Sequence, residues 1–228
     1  MPSAALHVGP IDGSALALES FHLDRGGTRA VEEVTHDSLL YIASGSGALA
    51  LDGVEHHVQA GSAALVLAGE RATLTASGAL SVVLATVGEE ADRHAPLGRR
   101  VITASLDAGG AEAATGARSF QVLFGPHNGS TRATLFAGFV PPGKAPWHYH
   151  LYDEIVWVPE GPGRLHIGDD TGELGPGSAF RLRPRQVHIV ENASADEELT
   201  IVGVFTPAGS PSAAYLEPDV AAEYRFAG

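Results

Sequence analysis

Short runs of apolar residues, separated by turns rich in glycine and proline, follow one another along the chain. The 28 glycines and 14 prolines are spread throughout. Short apolar runs bounded by such turns predict β-strands, and no long segment shows helical periodicity, apart from a candidate short helix at 218–225. The fold class predicted is therefore all-β. The runs that fit strands best are 38–43, 63–68, 81–87, 133–140, 155–159, 179–182 and 200–205.

The chain also repeats itself at a constant offset of 116 residues. Segment 154–169 aligns without gaps on 38–53 (154 − 38 = 116). Glycines that recur in register indicate the same tight turns in two copies of one plan. We therefore expect two tandem domains, 1–106 and 117–228, joined by an Ala/Gly-rich linker at 107–116. The glycine pairs in register are Gly45 with Gly161, Gly47 with Gly163 and Gly61 with Gly177.

Candidate chemistry is concentrated in the second copy. His148 and His150 alternate on an extended segment and so point to the same side of it. Glu154 can reach them if the strand bends, and His188 from a distant strand would complete three nitrogens and one oxygen, which is a metal site by ligand type. The alternative for the paired histidines is a solvated surface hairpin. The residues at the repeat offset in the first copy are Glu32, Val34, Ser38 and Ala72, so only the second copy has the ligand set.

Composition excludes several classes of partner. The chain has 14 Lys and Arg against 27 Asp and Glu, a net charge of −13, which repels phosphate backbones and anionic lipid. We therefore expect no nucleic-acid or membrane partner. The chain has no cysteine, which excludes disulfides and thiolate chemistry. Its start does not resemble a signal peptide and its longest apolar run is too short to span a bilayer, so a cytoplasmic location is expected.

The motifs of the second half resemble those of the cupin superfamily, and the whole chain resembles a bicupin. The leading glycine sits one position nearer the histidines than usual, and Arg183-Pro184-Arg185 replaces the usual Pro-x-Gly. These departures affect the expected local turns rather than the ligands. The first motif is seen as Gly143, His148, His150, Glu154 and Gly161, and the second as Gly177, His188 and Asn192.

The resemblance implies two tandem cupin (jelly-roll) β-barrels, the first degenerate and the second metal-binding. One divalent transition metal (Fe, Mn, Ni, Co, Cu or Zn) would be held there by His148, His150, Glu154 and His188. Glu154 would also be the catalytic residue, shifting between ligand and base. A homodimer acting on a small molecule is expected.

Three functions fit the resemblance. The first is a metal-dependent bicupin dioxygenase or other oxidoreductase that uses O₂ at the three-His, one-Glu centre, similar to quercetin dioxygenase. The second is a non-redox metal-dependent isomerase, lyase or aminohydrolase, similar to ureidoglycine aminohydrolase. The third is a non-catalytic protein that binds a small molecule or a metal.

Side chains around the motifs have their own expected places. Tyr149 should face away from the histidines because it alternates with them, and core packing is expected for Trp157. The alternating arginines at 181, 183 and 185 are expected to form a solvated or ion-paired stripe, with a grip on an anionic substrate as the alternative. Candidates for the mouth of the second barrel are Phe120, Gln121 and Phe124.

Overall fold

The structure is a computed structural model that describes residues 7–8, 14–107, 110–114 and 117–216. Within these ranges the regular elements are all β-strands, paired antiparallel, so the all-β prediction is confirmed. The same ranges contain no helix long and apolar enough to cross a membrane. The candidate helix at 218–225 lies outside the described residues.

In the described ranges, ten strands precede the predicted linker and twelve follow its start. The first ten are β1 (His7–Val8), β2 (Leu16–Leu23), β3 (Thr28–Glu32), β4 (Asp37–Ser44), β5 (Ser46–Leu51), β6 (Val54–Gln59), β7 (Ser62–Val66), β8 (Arg71–Ala76), β9 (Leu80–Val87) and β10 (Thr103–Ser105). The others are β11 (Glu112–Ala113), β12 (Ser119–Phe124), β13 (Thr134–Val140), β14 (Gly143–Lys144), β15 (His148–Tyr149), β16 (Asp153–Trp157), β17 (Gly163–Ile167), β18 (Asp170–Leu174), β19 (Ala179–Leu182), β20 (Ile189–Asn192), β21 (Leu199–Thr206) and β22 (Tyr215–Leu216).

The two halves share one sheet plan. A six-stranded sheet containing the order β2-β9-β4-β7 in the first half corresponds to a six-stranded sheet containing β13-β21-β16-β19 in the second. Each is accompanied by a four-stranded sheet, β3-β8-β5-β6 or β14-β20-β17-β18. The starts of β4 and β16 keep the offset read from the sequence (153 − 37 = 116). The chain is therefore two tandem β-barrels, as the repeat predicts.

The interior of the first barrel is apolar. Side chains from both of its sheets, such as Leu40, Ile42, Leu49 and Leu74, form one buried cluster. Val34, which stands where the second copy has His150, is 85% exposed. The buried cluster of the first barrel is therefore apolar, and the position equivalent to His150 lies at its surface.

A second apolar layer joins the halves. Leu39 and Val83 from the first six-stranded sheet share a cluster with Ile155, Trp157 and Val204 from the second. Successive residues of a strand face opposite sides, so β4 sends alternate side chains to its own barrel and to this layer. Both faces of these strands are buried, which explains their almost continuous apolar runs. The core position expected for Trp157 is confirmed.

Buried polar contacts also cross between the halves. The Arg132 guanidinium donates to the Thr35 carbonyl at 3.1 Å and to Asp37 Oδ1 at 3.4 Å, and the Arg132–Asp37 pair is almost fully buried. Ser14 of the first half donates a hydrogen bond to Asp153 of the second. Asp153 also pairs with Arg181, whose Nε lies 2.9 Å from Oδ1. Asp37 and Asp153 stand at equivalent repeat positions, so each half contributes an aspartate to this boundary.

The strands around the predicted linker divide between the halves. β10 pairs with β7 of the first barrel, whereas β11, inside the expected linker 107–116, pairs with β12 of the second. Residues 108–109 and 115–116 of that linker lie outside the described part. The domain limits 1–106 and 117–228 stay predictions.

Candidate metal centre

The chain segments that carry the four predicted ligands come together in the second barrel. The backbone of His148 pairs with that of His188 through two N–H to carbonyl bonds of 3.3 and 2.9 Å. The Arg185 N–H then donates to the His150 carbonyl at 2.6 Å. Glu154 lies on β16, between β19 and β21. Sheet pairing thus brings together residues up to 40 positions apart (188 − 148 = 40).

The three imidazoles form a compact buried group. One nitrogen from each of His148, His150 and His188 lies within 4.8 Å of the other two, as a shared metal ion requires. Glu154 lies beside this group, with Oε2 3.8 Å from His150 Nε2. The four residues are 1%, 8%, 2% and 3% exposed in the order His148, His150, His188, Glu154. A solvated hairpin does not describe these histidines.

Backbone carbonyls orient two of the rings. His148 Nδ1 lies 2.9 Å from the carbonyl of Pro146, and His188 Nδ1 lies 2.8 Å from that of Gln186. A carbonyl oxygen can only accept, so in both rings Nδ1 has the proton and Nε2 has the lone pair. Such bonds fix metal-binding histidines in other proteins. The donor set therefore fits a divalent ion.

The third ring is held by stacking. His150 lies against the Tyr152 ring, with 4.6 Å between centroids and 12° between planes, and Tyr152 stacks in turn on Phe205. The Ala213 backbone interacts with the His150 ring, but Nδ1 finds no acceptor with full hydrogen-bond geometry among the described residues. Packing, rather than a strong hydrogen bond, orients this ligand.

Burial keeps the imidazoles neutral. It is the main cause that lowers the pKa of His148 to about 2, of His150 to about 3 and of His188 to about 4. Burial raises the pKa of Glu154 to about 8, against the opposing charge of Arg118. Metals bind neutral imidazole and ionised carboxylate. At neutral pH the three rings are therefore already in the metal-binding form, whereas the Glu154 carboxyl must release a proton when an ion binds.

Arg118 is the site residue that the sequence did not reveal. Its Nη1 lies 3.3 Å from His148 Nε2, the nitrogen whose lone pair faces the cluster. Its charge helps to lower the pKa of all three histidines. No motif contains Arg118, which precedes His148 by 30 positions (148 − 118 = 30). In the sequence it is only an arginine near the start of the predicted second barrel, and nothing in its spacing connects it with the histidines.

A cavity of about 70 Å³ adjoins the cluster and is lined by it and by Arg118. Phe120 lines it as predicted, but Phe124 is in the apolar layer between the halves, and Gln121 bonds to Asp107 and the Ser105 carbonyl. The other walls are mostly apolar, including Phe136, Val140, Val156, Val190 and Ile201. Such a site can exclude water while presenting a few polar groups.

The remaining motif residues shape turns and contacts. Gly177 has a positive φ of 78°, as does its repeat partner Gly61 at 82°, a conformation that favours glycine. Arg185, where the resemblance expects a glycine, has φ 66°. The amide of Asn192 donates to the carbonyls of Val140 and Glu197. Tyr149 stacks on Tyr215 with centroids 5.4 Å apart.

Comparison with known proteins agrees with this description. The family model described as "Cupin domain" matches residues 136–205, the part that contains all four predicted ligands. A comparison with curated proteins found no match.

Several solved structures share the fold. Oxalate decarboxylase from Bacillus subtilis is 14% identical, with a TM-score of 0.72 over 95% of this chain and 77% of that one, and another structure of the same enzyme is described with Mn(II) centres. AerE from Microcystis aeruginosa is 11% identical, with a TM-score of 0.70 over 84% and 88%. A cupin 2 conserved barrel domain protein from Leptotrichia buccalis is 13% identical, with a TM-score of 0.62 over 89% and 88%. Taken together, these similarities show that the chain has a cupin fold and that residues 136–205 of its second half match the Cupin domain.

Proposed function

We propose that the second barrel is the site of a metal-dependent enzyme that acts on a small molecule. The observation that carries the proposal is the group of three buried imidazoles, with nitrogens within 4.8 Å of one another, at the wall of a cavity. Burying three imidazoles and a carboxyl is costly unless their lone pairs gain a partner. A closed structural ion would not need an adjoining cavity, whereas a catalytic one does.

The residues that would hold the ion are His148, His150, Glu154 and His188. Their nitrogens and oxygen suit a single Fe, Mn, Ni, Co, Cu or Zn ion. Such an ion supplies Lewis-acid or redox chemistry to a molecule in the cavity. Manganese is the first metal to test, because the similar oxalate decarboxylase is described with Mn(II) centres.

The chain itself would contribute by orienting the ligand rings and by excluding water from the cavity. The carbonyls of Pro146 and Gln186 hold two ligand rings at fixed orientations. Apolar walls keep the cavity dry, which strengthens every electrostatic interaction inside it. A second role for Glu154 as an acid or base stays a prediction from the sequence.

Two reaction classes remain to be compared. A dioxygenase or other O₂-using oxidoreductase is the version that the sequence favours. A non-redox lyase is the second candidate, since one similar structure is named a decarboxylase. Oxygen uptake by metal-loaded protein with small carboxylic or enolic substrates separates them. Turnover without O₂ would reject the first class, and strict dependence on O₂ would reject the second.

Elemental analysis of the purified protein, together with a His188→Ala variant, tests the metal site itself. We expect close to one equivalent of a divalent transition metal in the parent protein and loss of most of it in the variant. His166→Ala is the matched control, because it also removes one histidine of the second barrel. His166 is not one of the predicted ligands, and its Nε2 pairs with Glu191 at 2.6 Å. A parent protein that takes up no divalent metal would refute the proposal. The homodimer and the cytoplasmic location stay predictions.

A further inference from the structure

A second cavity, with a volume of about 400 Å³, forms a cleft between the two halves of the chain. Its described lining shares no residue with that of the metal cavity and includes none of the four predicted metal ligands. The cleft is more than twice as large as a ~150 Å³ cavity that accommodates benzene. It therefore has room for a small organic molecule of its own.

The most buried charged groups that line this cleft are already paired with each other. Arg181 Nε donates to Asp153 Oδ1 at 2.9 Å, and the side chains of the two residues are only 6% and 15% exposed. Arg181 also donates to the Leu16 carbonyl at 3.2 Å, and the Ser14 hydroxyl bonds to both members of the pair. This ion pair builds the cleft and leaves the recognition of a ligand to other side chains.

Three exposed charged side chains line the same cleft. Glu90 and Asp92 follow β9 in the first half, and Arg183 follows β19 in the second. Within the described ranges, none of the three side chains forms an ion pair or a hydrogen bond. The two halves thus bring opposite charges to one cleft without pairing them. A ligand that has both charges can bridge the gap, whereas a simple amine or a simple anion satisfies one side only.

The remaining lining of the cleft is mostly apolar. Leu151 is 49% exposed there, and Pro184 and Pro207 lie in the same lining. A large aliphatic side chain that is half exposed in a cleft favours an apolar surface that covers it. The ligand that fits best therefore has an apolar body between its two charged groups and Leu151.

We infer that this cleft binds a small α-amino acid with an apolar side chain. The ammonium group, which has three donors, meets the carboxylates of Glu90 and Asp92. The carboxylate meets the guanidinium of Arg183, whose paired N–H donors match its geometry, and the apolar side chain covers Leu151. The inference is independent of the proposed function, because the cleft needs no metal ion and contains none of the predicted ligands.

The test compares three probes on one carbon skeleton with the full-length protein. L-Leucine has both charges, 4-methylpentanoate lacks the ammonium group, and 3-methylbutylamine lacks the carboxylate. Ligand-observed NMR titration gives the affinity of each. We expect saturable binding of leucine, and binding of each analogue that is weaker by about fivefold, as for the loss of one exposed charge-assisted contact.

Variants assign each charge to its side of the cleft. Arg183→Gln should weaken leucine binding by about fivefold and leave that of 3-methylbutylamine unchanged. The double variant Glu90→Gln, Asp92→Asn should weaken leucine and 3-methylbutylamine and leave 4-methylpentanoate unchanged. Arg71→Gln is the control, since Arg71 is an exposed arginine of the first barrel, and it should change none of the three affinities.

Three results would overturn the inference. They are the lack of saturable leucine binding by the parent protein up to about 10 mM, equal affinity for leucine and either analogue, and unchanged leucine affinity in both variants. The substituted side chains are exposed, so we expect the variants to fold, as circular dichroism can verify. If the double variant is unfolded, the single variants Glu90→Gln and Asp92→Asn replace it, and a loss of leucine affinity in either one is then the supporting result.

Discussion

Metal uptake should release one proton at mildly acidic pH, and Glu154 should be its source. Burial raises the pKa of this carboxyl to about 8, so at pH 6 almost every molecule has the proton that an ion must displace. The three imidazoles, with pKa values of about 2, 3 and 4, have almost none to lose. Release should therefore be about 1 proton per ion at pH 6 and about 0.5 at pH 8.

The same residue types in an exposed site would behave differently. With the ordinary pKa values of 6.5 for histidine and 4.5 for glutamate, three histidines would release about 2.3 protons per ion at pH 6 and about 0.1 at pH 8. The pH dependence, rather than the value at one pH, thus separates the buried arrangement from a solvated one.

Calorimetric titration of Mn²⁺ in buffers of different ionisation enthalpy measures the released protons directly. Glu154→Gln is the matched variant, because it keeps the shape of the side chain and removes the titrating group. We expect its proton release to be near zero at both pH values, with weaker binding. Release of two or more protons at pH 6 by the parent protein, or unchanged release in the variant, would refute the reasoning.

Three further predictions concern stability. Arg132→Ala leaves the buried Asp37 without its cationic partner and should lower the free energy of unfolding by about 3–5 kcal/mol. The exposed Arg71→Ala should cost at most ~1 kcal/mol, and urea unfolding measures both. The fragment 117–228 alone uncovers the apolar layer between the halves and should aggregate; a soluble, monodisperse, metal-binding fragment in size-exclusion chromatography would contradict this. Metal-free protein should lose stability as the pH falls from about 6.5 to 4. In this range the histidines of the unfolded chain take up protons, whereas the buried imidazoles of the folded protein, with their lowered pKa values, stay mostly neutral. Glu154, with its raised pKa, opposes this by about one proton, so near pH 5 the net uptake of about two protons gives a slope of about 3 kcal/mol per pH unit in chemical unfolding.

The sequence revealed those features that depend on local spacing. Alternation placed His148 and His150 on one side, and the offset of 116 gave the two barrels. The predicted strand positions were close to the observed ones. The prediction for β16 was 155–159 and the strand is Asp153–Trp157, since Pro159 marks a turn but not the residue at which pairing ends.

Arg118 could not be found in this way. Its approach to His148 depends on the sheet order β11-β12-β13-β21-β16, which brings the segment between β11 and β12 close to the cluster. That order is a property of the whole sheet, and no local period encodes it. Phe120 lines the cavity whereas Phe124 packs between the halves, and the cause is similar. The pairing of β12 with β13 shifts register between Val122 and Phe124, which turns the later side chain to the other face.

The hydrogen bond from Ser14 to Asp153 connects the first barrel to the predicted metal centre of the second. Asp153 directly precedes Glu154 in the chain, and its charge helps to raise the pKa of that carboxyl. A substitution of Ser14 would therefore alter the surroundings of Asp153, the residue next to a predicted metal ligand. Although its repeat positions lack the ligand set, the first barrel is joined by hydrogen bonds to the second, so substitutions in the first barrel can change the charge environment of the predicted ligands.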